Sequence, residues 1–211
     1  MTADEYTTTV QADTIENYIW INGTLSVELV QTENMSRFPA ANMFKGIGQG
    51  TVIRGLVHKQ TQALAALVSK NQEQSVIFYS LQQNTSVIKA ISEITDSTTS
   101  SQGVSRTNQS MLCMETSTDS SVLFLGGGSG SEPTSSSDAI MYSVSFDRNL
   151  RKIDQLVLSD STERKRAISC MRRDPSRNII FAGVFQDVYV IEWTGSYLCV
   201  LRIFDNIHSC R

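Results

Sequence analysis

The sequence predicts an all-β protein assembled from repeated four-stranded antiparallel units. Three observations carry that expectation. Serine and threonine contribute 28 and 19 of the 211 residues, against three prolines, and hydroxyl side chains compete with helical backbone bonding while suiting strands and polar loops. Short apolar runs alternate with turn-forming stretches along most of the chain. Two blocks of sequence then recur in the same order, copy after copy. With 40% apolar and 18% charged residues the chain has enough apolar surface to bury a core.

The repeat is marked by cysteines. Cys113-Met114 and Cys170-Met171 lie 57 positions apart, and each is followed by an apolar block ending in glycine, Val122-Leu123-Phe124-Leu125-Gly126 in one and Ile179-Ile180-Phe181-Ala182-Gly183 in the other. The second block links Val76-Ile77-Phe78-Tyr79-Ser80-Leu81 to Ala139-Ile140-Met141-Tyr142-Ser143-Val144, 63 positions on, and recurs as Asp187-Val188-Tyr189-Val190-Ile191-Glu192-Trp193. No pair of the four cysteines, Cys113, Cys170, Cys199 and Cys210, has the two- to four-residue separation that zinc ligands favour, so the thiols mark a repeat and not a metal site. Strand-type repeats of roughly 40 to 60 residues point to β-propeller blades.

Taken in order, residues 1–13 are polar and acidic and read as disordered, and 14–211 as part of a propeller. Residues 14–33 give a half-blade, two apolar runs flanking Asn22-Gly23, a dipeptide suited to a tight hairpin. These two runs read as the third and fourth strands of their blade. The first complete blade, 51–94, has strands at 51–57, 63–69, 75–81 and 86–94. Its second strand, in 62–68, has helical propensity, which its place in the repeat overrules. The next blade, 110–158, has strands at 110–115, 122–126, 139–146 and 150–158. The last, 167–204, has them at 167–171, 179–184, 188–193 and 197–204, with Pro175 in a turn where its missing N–H costs nothing. Residues 206–211 open a further blade, Ile207-His208-Ser209-Cys210 matching Ala167-Ile168-Ser169-Cys170.

Over 17–211 the sequence resembles the WD40-like β-propellers, and the last blade is the best match. Its Cys170 to Cys210 spacing of 40 falls in the ~40 to 45 residues of that repeat. Asp187, just before the third strand, and Trp193, near its end, match the family's aspartate and the tryptophan of its Trp-Asp pair. Thr194 stands where the family has aspartate, Leu81 and Val144 replace the tryptophan in the other blades, and the Gly-His pair is missing, so the resemblance is to a diverged member. It implies structural roles for Asp187, Trp193, Phe124, Phe181, Gly126, Gly183, Cys113 and Cys170. Closed propellers hold about 4 to 8 blades, so the ring is expected to be completed by the rest of a longer chain or by a second propeller fragment.

A net charge of -3 gives no general attraction to phosphate backbones, no apolar run is long enough to span a membrane, and the N-terminus has no export signal, so neither nucleic acid nor membrane insertion is expected. Cytoplasmic residence is the matching expectation. No catalytic, metal or cofactor constellation stands out, and Lys45-Gly46-Ile47-Gly48-Gln49-Gly50 reads as a flexible entry to a strand and not as a phosphate loop. In a meander, the links between second and third strands and between successive blades emerge at one end. The long polar stretches at 31–50, 95–109, 127–138 and 159–166 all belong to that end. Loops carry binding more often than scaffolds do, so the candidate partner-binding residues are Gly127, Glu132, Asp138, Arg164, Lys165 and Arg166. The expected function is a non-catalytic scaffold that binds other proteins. The alternative is a propeller enzyme or small-ligand sensor whose channel is lined by Cys113, Cys170 and Cys210.

Overall fold

The computed structural model describes residues 9–12, 18–22, 27–31, 37–39, 51–58, 63–70, 73–80, 85–95, 109–129, 138–158 and 167–205. They form four antiparallel sheets of four strands, each a simple meander in chain order. The first holds β1 (Thr9–Ala12), β2 (Tyr18–Asn22), β3 (Val27–Gln31) and β4 (Arg37–Pro39). The second holds β5 (Thr51–His58), β6 (Ala63–Lys70), β7 (Glu73–Ser80) and β8 (Thr85–Ala90), and a helical turn α1 (Ile91–Thr95) follows. The third holds β9 (Gln109–Thr116), β10 (Val122–Ser129), β11 (Ala139–Ser145) and β12 (Lys152–Leu158). The fourth holds β13 (Ile168–Arg173), β14 (Ile179–Val184), β15 (Asp187–Trp193) and β16 (Leu198–Phe204). The chain divides into two compact units, Met1–Ala90 with the first two sheets and Ile91–Arg211 with the last two.

The first sheet departs from an unstructured 1–13 followed by a half-blade. Thr9–Ala12 pairs with β2, and Arg37–Pro39, within a stretch read as a link, pairs with β3. The hairpin around Asn22 therefore supplies the two middle strands, Asn22 opposite Val27, and not the last two. Both outer strands are too short to show a period-two pattern, and Pro39 is tolerated because an outer strand can leave one side without a ladder donor.

β6 shows packing overruling propensity. Ala63 to Val68 form a strand between β5 and β7, and all six side chains are buried. A strand covered on both faces reads as a continuous apolar run, without the alternation that would distinguish it from a helix. The strand expected over 86–94 stops at Ala90. Ile91–Thr95 coils instead, placing Ile91 and Ile94 on one buried side three residues apart, and Thr95 Oγ1 donates to the Ser92 carbonyl at 3.2 Å.

Register ties the repeats together. The rungs Leu64–Tyr79, Met114–Leu125–Tyr142 and Met171–Ala182–Tyr189 place a buried tyrosine at the same point of three third strands. One rung away, Cys113 lies opposite Gly126 and Cys170 opposite Gly183. A Cβ on Gly126 would fall 2.9 Å from the Cys113 sulfur, and one on Gly183 2.6 Å from that of Cys170. The thiol of each first strand fills the space that glycine leaves in the second. The register also slips at Ile53, Leu112 and Ser169 in first strands, and at Ile153 and Leu201 in the last strands of the third and fourth sheets.

The core of the second unit lies in the joint between its two sheets. Val122, Phe124, Ala139 and Met141 of the third sheet pack with Ile168, Met171, Ile180, Ala182, Tyr189, Ile191 and Trp193 of the fourth. The Trp193 and Phe124 rings meet in a T-shaped contact at a centroid distance of 5.8 Å and an interplanar angle of 68°, a favoured aromatic geometry.

Candidate functional site

In the second unit the two ends of the sheets differ in construction. At one end short turns are locked by carboxylates. Asp119 Oδ1 accepts from the Ser117 hydroxyl at 2.5 Å, the Ser121 amide at 3.1 Å and the Ser121 hydroxyl at 2.8 Å. Asp147 Oδ1 accepts from the amides of Asn149 and Leu150 at 2.7 and 3.2 Å, and Asp174 Oδ1 from the amide and hydroxyl of Ser176 at 2.8 and 2.7 Å. Partial burial pushes the Asp119 carboxyl up, but the bonds from Ser117 and Ser121 outweigh it, so the group titrates below its ordinary value. The bonds from the Ser176 hydroxyl and amide lower that of Asp174. The turns of neighbouring sheets lie side by side, Thr118 Oγ1 donating to the Arg177 carbonyl at 3.0 Å. This pairing runs the two sheets the same way, so their opposite ends also share a side.

That opposite end carries the loops proposed for binding. Glu132, Arg164, Lys165 and Arg166 lie outside the described residues, as do Cys210 and the further blade at 206–211. Asp138 is half-buried just before β11. Gly127 is a correction: it sits inside β10, buried, and not in a loop. A Cβ there would stand 2.0 Å from the Ser110 carbonyl oxygen and 2.7 Å from Met111 Cα, so this glycine admits a close backbone approach. Three successive glycines look like a loop in sequence, yet they extend the strand to Ser129. In the fourth sheet the equivalent link is a two-residue turn, with Phe185 at φ 56° and 60% exposed at its tip.

Of the thiols expected to line a channel, Cys113 and Cys170 fall within the described residues. Cys113 is buried in the joint, its sulfur 3.5 Å from the carbonyl oxygens of Gly126 and Ile168. Cys170 is exposed on the outer flank of the fourth sheet, and Cys199 Sγ donates to Glu192 Oε2 at 3.8 Å. The crevice between the sheets, lined by Thr116, Ser117, Phe124, Arg173, Arg177 and Trp193 among others, has no room for a water-sized guest. Among the described residues no three His, Cys, Asp or Glu side chains gather to hold a metal ion. Nor does any helix of theirs have the length and hydropathy to cross a membrane.

Asp187 opens β15 opposite Val184 and is half-buried, while Trp193 closes the strand within the joint. Phe124 and Phe181 occupy the same rung of their sheets, but Phe124 is 1% exposed and Phe181 40%. Sequence reasoning missed the polar anchors of the joint. Glu115 Oε1 lies 4.0 Å from Arg173 Nε, and Asp154 Oδ2 accepts from the Leu198 amide at 2.7 Å. Both carboxylates share the rung of Phe124, so a period-two count from that residue finds them once the strands are aligned.

No protein-family model and no curated protein matches the chain. Solved structures do. The β-propeller domain of Myceliophteria thermophila Cps50 (Swd1) superposes with a TM-score of 0.59 at 9% identity, over 92% of this chain and 57% of its own. A chain of the nidogen/laminin complex gives 0.56 at 9% identity, over 97% of this chain and 66% of its own. One from the Chaetomium thermophilum Nup170 NTD–Nup53 complex gives 0.52 at 12%, over 96% and 29%. This chain thus spans less than two thirds of each. At such identities the likeness speaks to fold alone, and with the four meander sheets it settles that question: the chain is a diverged β-propeller.

Proposed function

We propose that the chain is a non-catalytic platform for other proteins, whose partners dock at the end carrying the links 130–137 and 159–166. One observation carries the reading: the two ends of the sheets in the second unit are built unequally. One end is closed by short turns whose amides and hydroxyls are satisfied by Asp119, Asp147 and Asp174. The other gives rise to the long polar links 130–137 and 159–166, and links of this kind carry binding more often than scaffold strands do. Two of the similar structures are complexes by description, nidogen with laminin and Nup170 with Nup53, and protein binding is the property carried over here. Membership of the WD40-like class and a cytoplasmic setting, where the thiols of Cys113, Cys170 and Cys199 stay reduced, belong to the same proposal.

The test places a photocrosslinking residue at Glu132 or Lys165 and, as a control, at Arg148 in a locked turn. Cell extract should yield one defined protein adduct from the first two positions and none from the control. Alanine at Arg164, Lys165 and Arg166 should remove the adduct while leaving the unfolding midpoint unchanged. Equal yields from both ends would overturn the assignment.

A further inference from the structure

The tyrosine shared by the third strands allows the outer strands to be compared position by position. In the third sheet Tyr142 pairs with Gln155 and Val144 with Lys152; in the fourth Tyr189 pairs with Ile203 and Ile191 with Val200. The unpaired Ile153 and Leu201 fall between these rungs in both sheets. Lys152 and Val200 therefore hold one structural position, and Gln155 and Ile203 another.

In the third sheet that position serves a helix. Lys152 Nζ donates to the Thr95 carbonyl, at the end of α1, at 3.0 Å and stands 5.9 Å from the Tyr142 ring centre. α1 thus ends against the face of the third sheet turned away from the fourth, with Ile91 and Ile94 buried. On the fourth sheet the equivalent face looks toward the third. Tyr189, Ile191, Trp193 and Leu198 are buried there, yet Val200 is 38% and Ile203 44% exposed. Across from them Leu156 of β12, which shares its face with Met141, is half-buried against the core of the joint. The joint is therefore packed along its inner strands and open between β12 and β16, as a groove with aliphatic walls. Asp154 lies on the Leu156 face, two residues earlier, and its Oδ2 accepts the Leu198 amide at 2.7 Å.

We propose that this groove takes a short amphipathic helix of a partner protein, independently of what the links 130–137 and 159–166 bind. Two aliphatic side chains three residues apart seat on Val200, Ile203 and Leu156, and a lysine or arginine beside them reaches Asp154. The precedent is α1, which brings Ile91 and Ile94 at that spacing to the equivalent place on the third sheet. The fourth sheet has Val200 where Lys152 meets α1, so its groove offers aliphatic surface where the third sheet offers a donor. Neither this chain's neighbouring segment nor a second copy supplies such a helix. Residues 159–166, which follow β12 as α1 follows β8, contain no aliphatic side chain. Among the described residues α1 is the one helix, and its isoleucines are already buried.

The probe is a fluorescein-labelled, alanine-rich helical peptide that carries the Ile-Ser-Glu-Ile-Thr sequence of α1 between lysines. It is titrated with the full chain and followed by fluorescence anisotropy. Saturable binding is expected. It should weaken about tenfold when both peptide isoleucines become serine, and about tenfold when Val200→Ser and Ile203→Ser are combined in the protein. Val157→Ser, on the opposite face of β12 and 41% exposed, should leave it unchanged. Asp154→Asn retains an acceptor for the Leu198 amide; it should weaken the lysine-flanked peptide about threefold and a glutamine-flanked one not at all. That comparison carries the test if the double serine variant lowers the unfolding midpoint. No saturable binding, equal binding of the serine peptide, or equal loss with Val157→Ser would each overturn the proposal. Sedimentation showing self-association that the Val200 and Ile203 changes abolish would assign the groove to a second copy and overturn it as well.

Discussion

Truncating the two phenylalanines that share a rung separates burial from sequence position. Phe124→Ala removes a ring that is 1% exposed and leaves a gap against Trp193. Lost transfer energy and the residual cavity together cost about 3 to 5 kcal/mol. Phe181→Ala removes the same ring from a position 40% exposed. Complete burial of such a side chain is worth about 1.5 to 3 kcal/mol, so the 60% withdrawn from water corresponds to about 1 to 2 kcal/mol, and its open side leaves no enclosed void. Urea unfolding of the full chain followed by far-ultraviolet circular dichroism reads both values. A double-mutant cycle between Phe124→Ala and Trp193→Ala should return a coupling of about 0.5 to 1.5 kcal/mol for the edge-to-face contact. Equal losses for the two phenylalanines would refute the assignment of one flank as covered and the other as open. A coupling near zero would refute the aromatic contact as an energetic link between the sheets.

Three glycines give a graded series in thermal unfolding. Gly127→Ala forces a Cβ onto backbone atoms of Ser110 and Met111 and should cost more than about 3 kcal/mol, while Gly126→Ala crowds Cys113, Ile168 and Met171 at 2.9 to 3.0 Å and should cost about 1 to 3 kcal/mol. Gly183→Ala meets the exposed thiol of Cys170 at 2.6 Å and nothing else closer than 3.8 Å, and because that thiol can turn aside it should cost less than about 1 kcal/mol; a reversed order would contradict the registers. The lowered titration of Asp119 makes its stabilisation fully present above the ordinary carboxyl value of 3.8 and lost as pH falls through the lower folded-state value. Asp119→Asn should therefore flatten the acid limb of the unfolding midpoint against pH, and an unchanged limb would remove this turn from the acid response.

Much of this fold was legible because a repeat supplies information that local propensity lacks. Ala63 to Val68 alone favour a helix, and only their place between two strand-like runs argues for the strand that forms. Where the repeat gave no guidance, local pattern misled. Thr9–Ala12 and Arg37–Pro39 are too short for periodicity, so the first sheet looked like half of one. Ile91 and Ile94 have helical spacing, but they follow a strand closely enough to be taken as its end. The glycines of β10 resembled a loop because composition cannot tell a flexible glycine from one pressed against a neighbouring backbone. The site was less legible than the fold. A period-two pattern says which side chains share a face, but whether another sheet covers that face depends on contacts remote in sequence. Phe124 and Phe181 look alike in the chain and differ in the folded protein for that reason alone.

The slips at Ile153 and Leu201 act beyond the rungs they disturb. An outermost strand offers a row of unsatisfied amides and carbonyls to any extended peptide, and a kink partway along spoils the match after a few residues. β12 and β16 carry that protection, and β4 is short and ends at Pro39. β8 pairs with β7 without a break from Thr85 to Ala90, with Ile88 exposed. Among the last strands of the four sheets, Thr85–Ala90 is thus the straightest template for foreign strands.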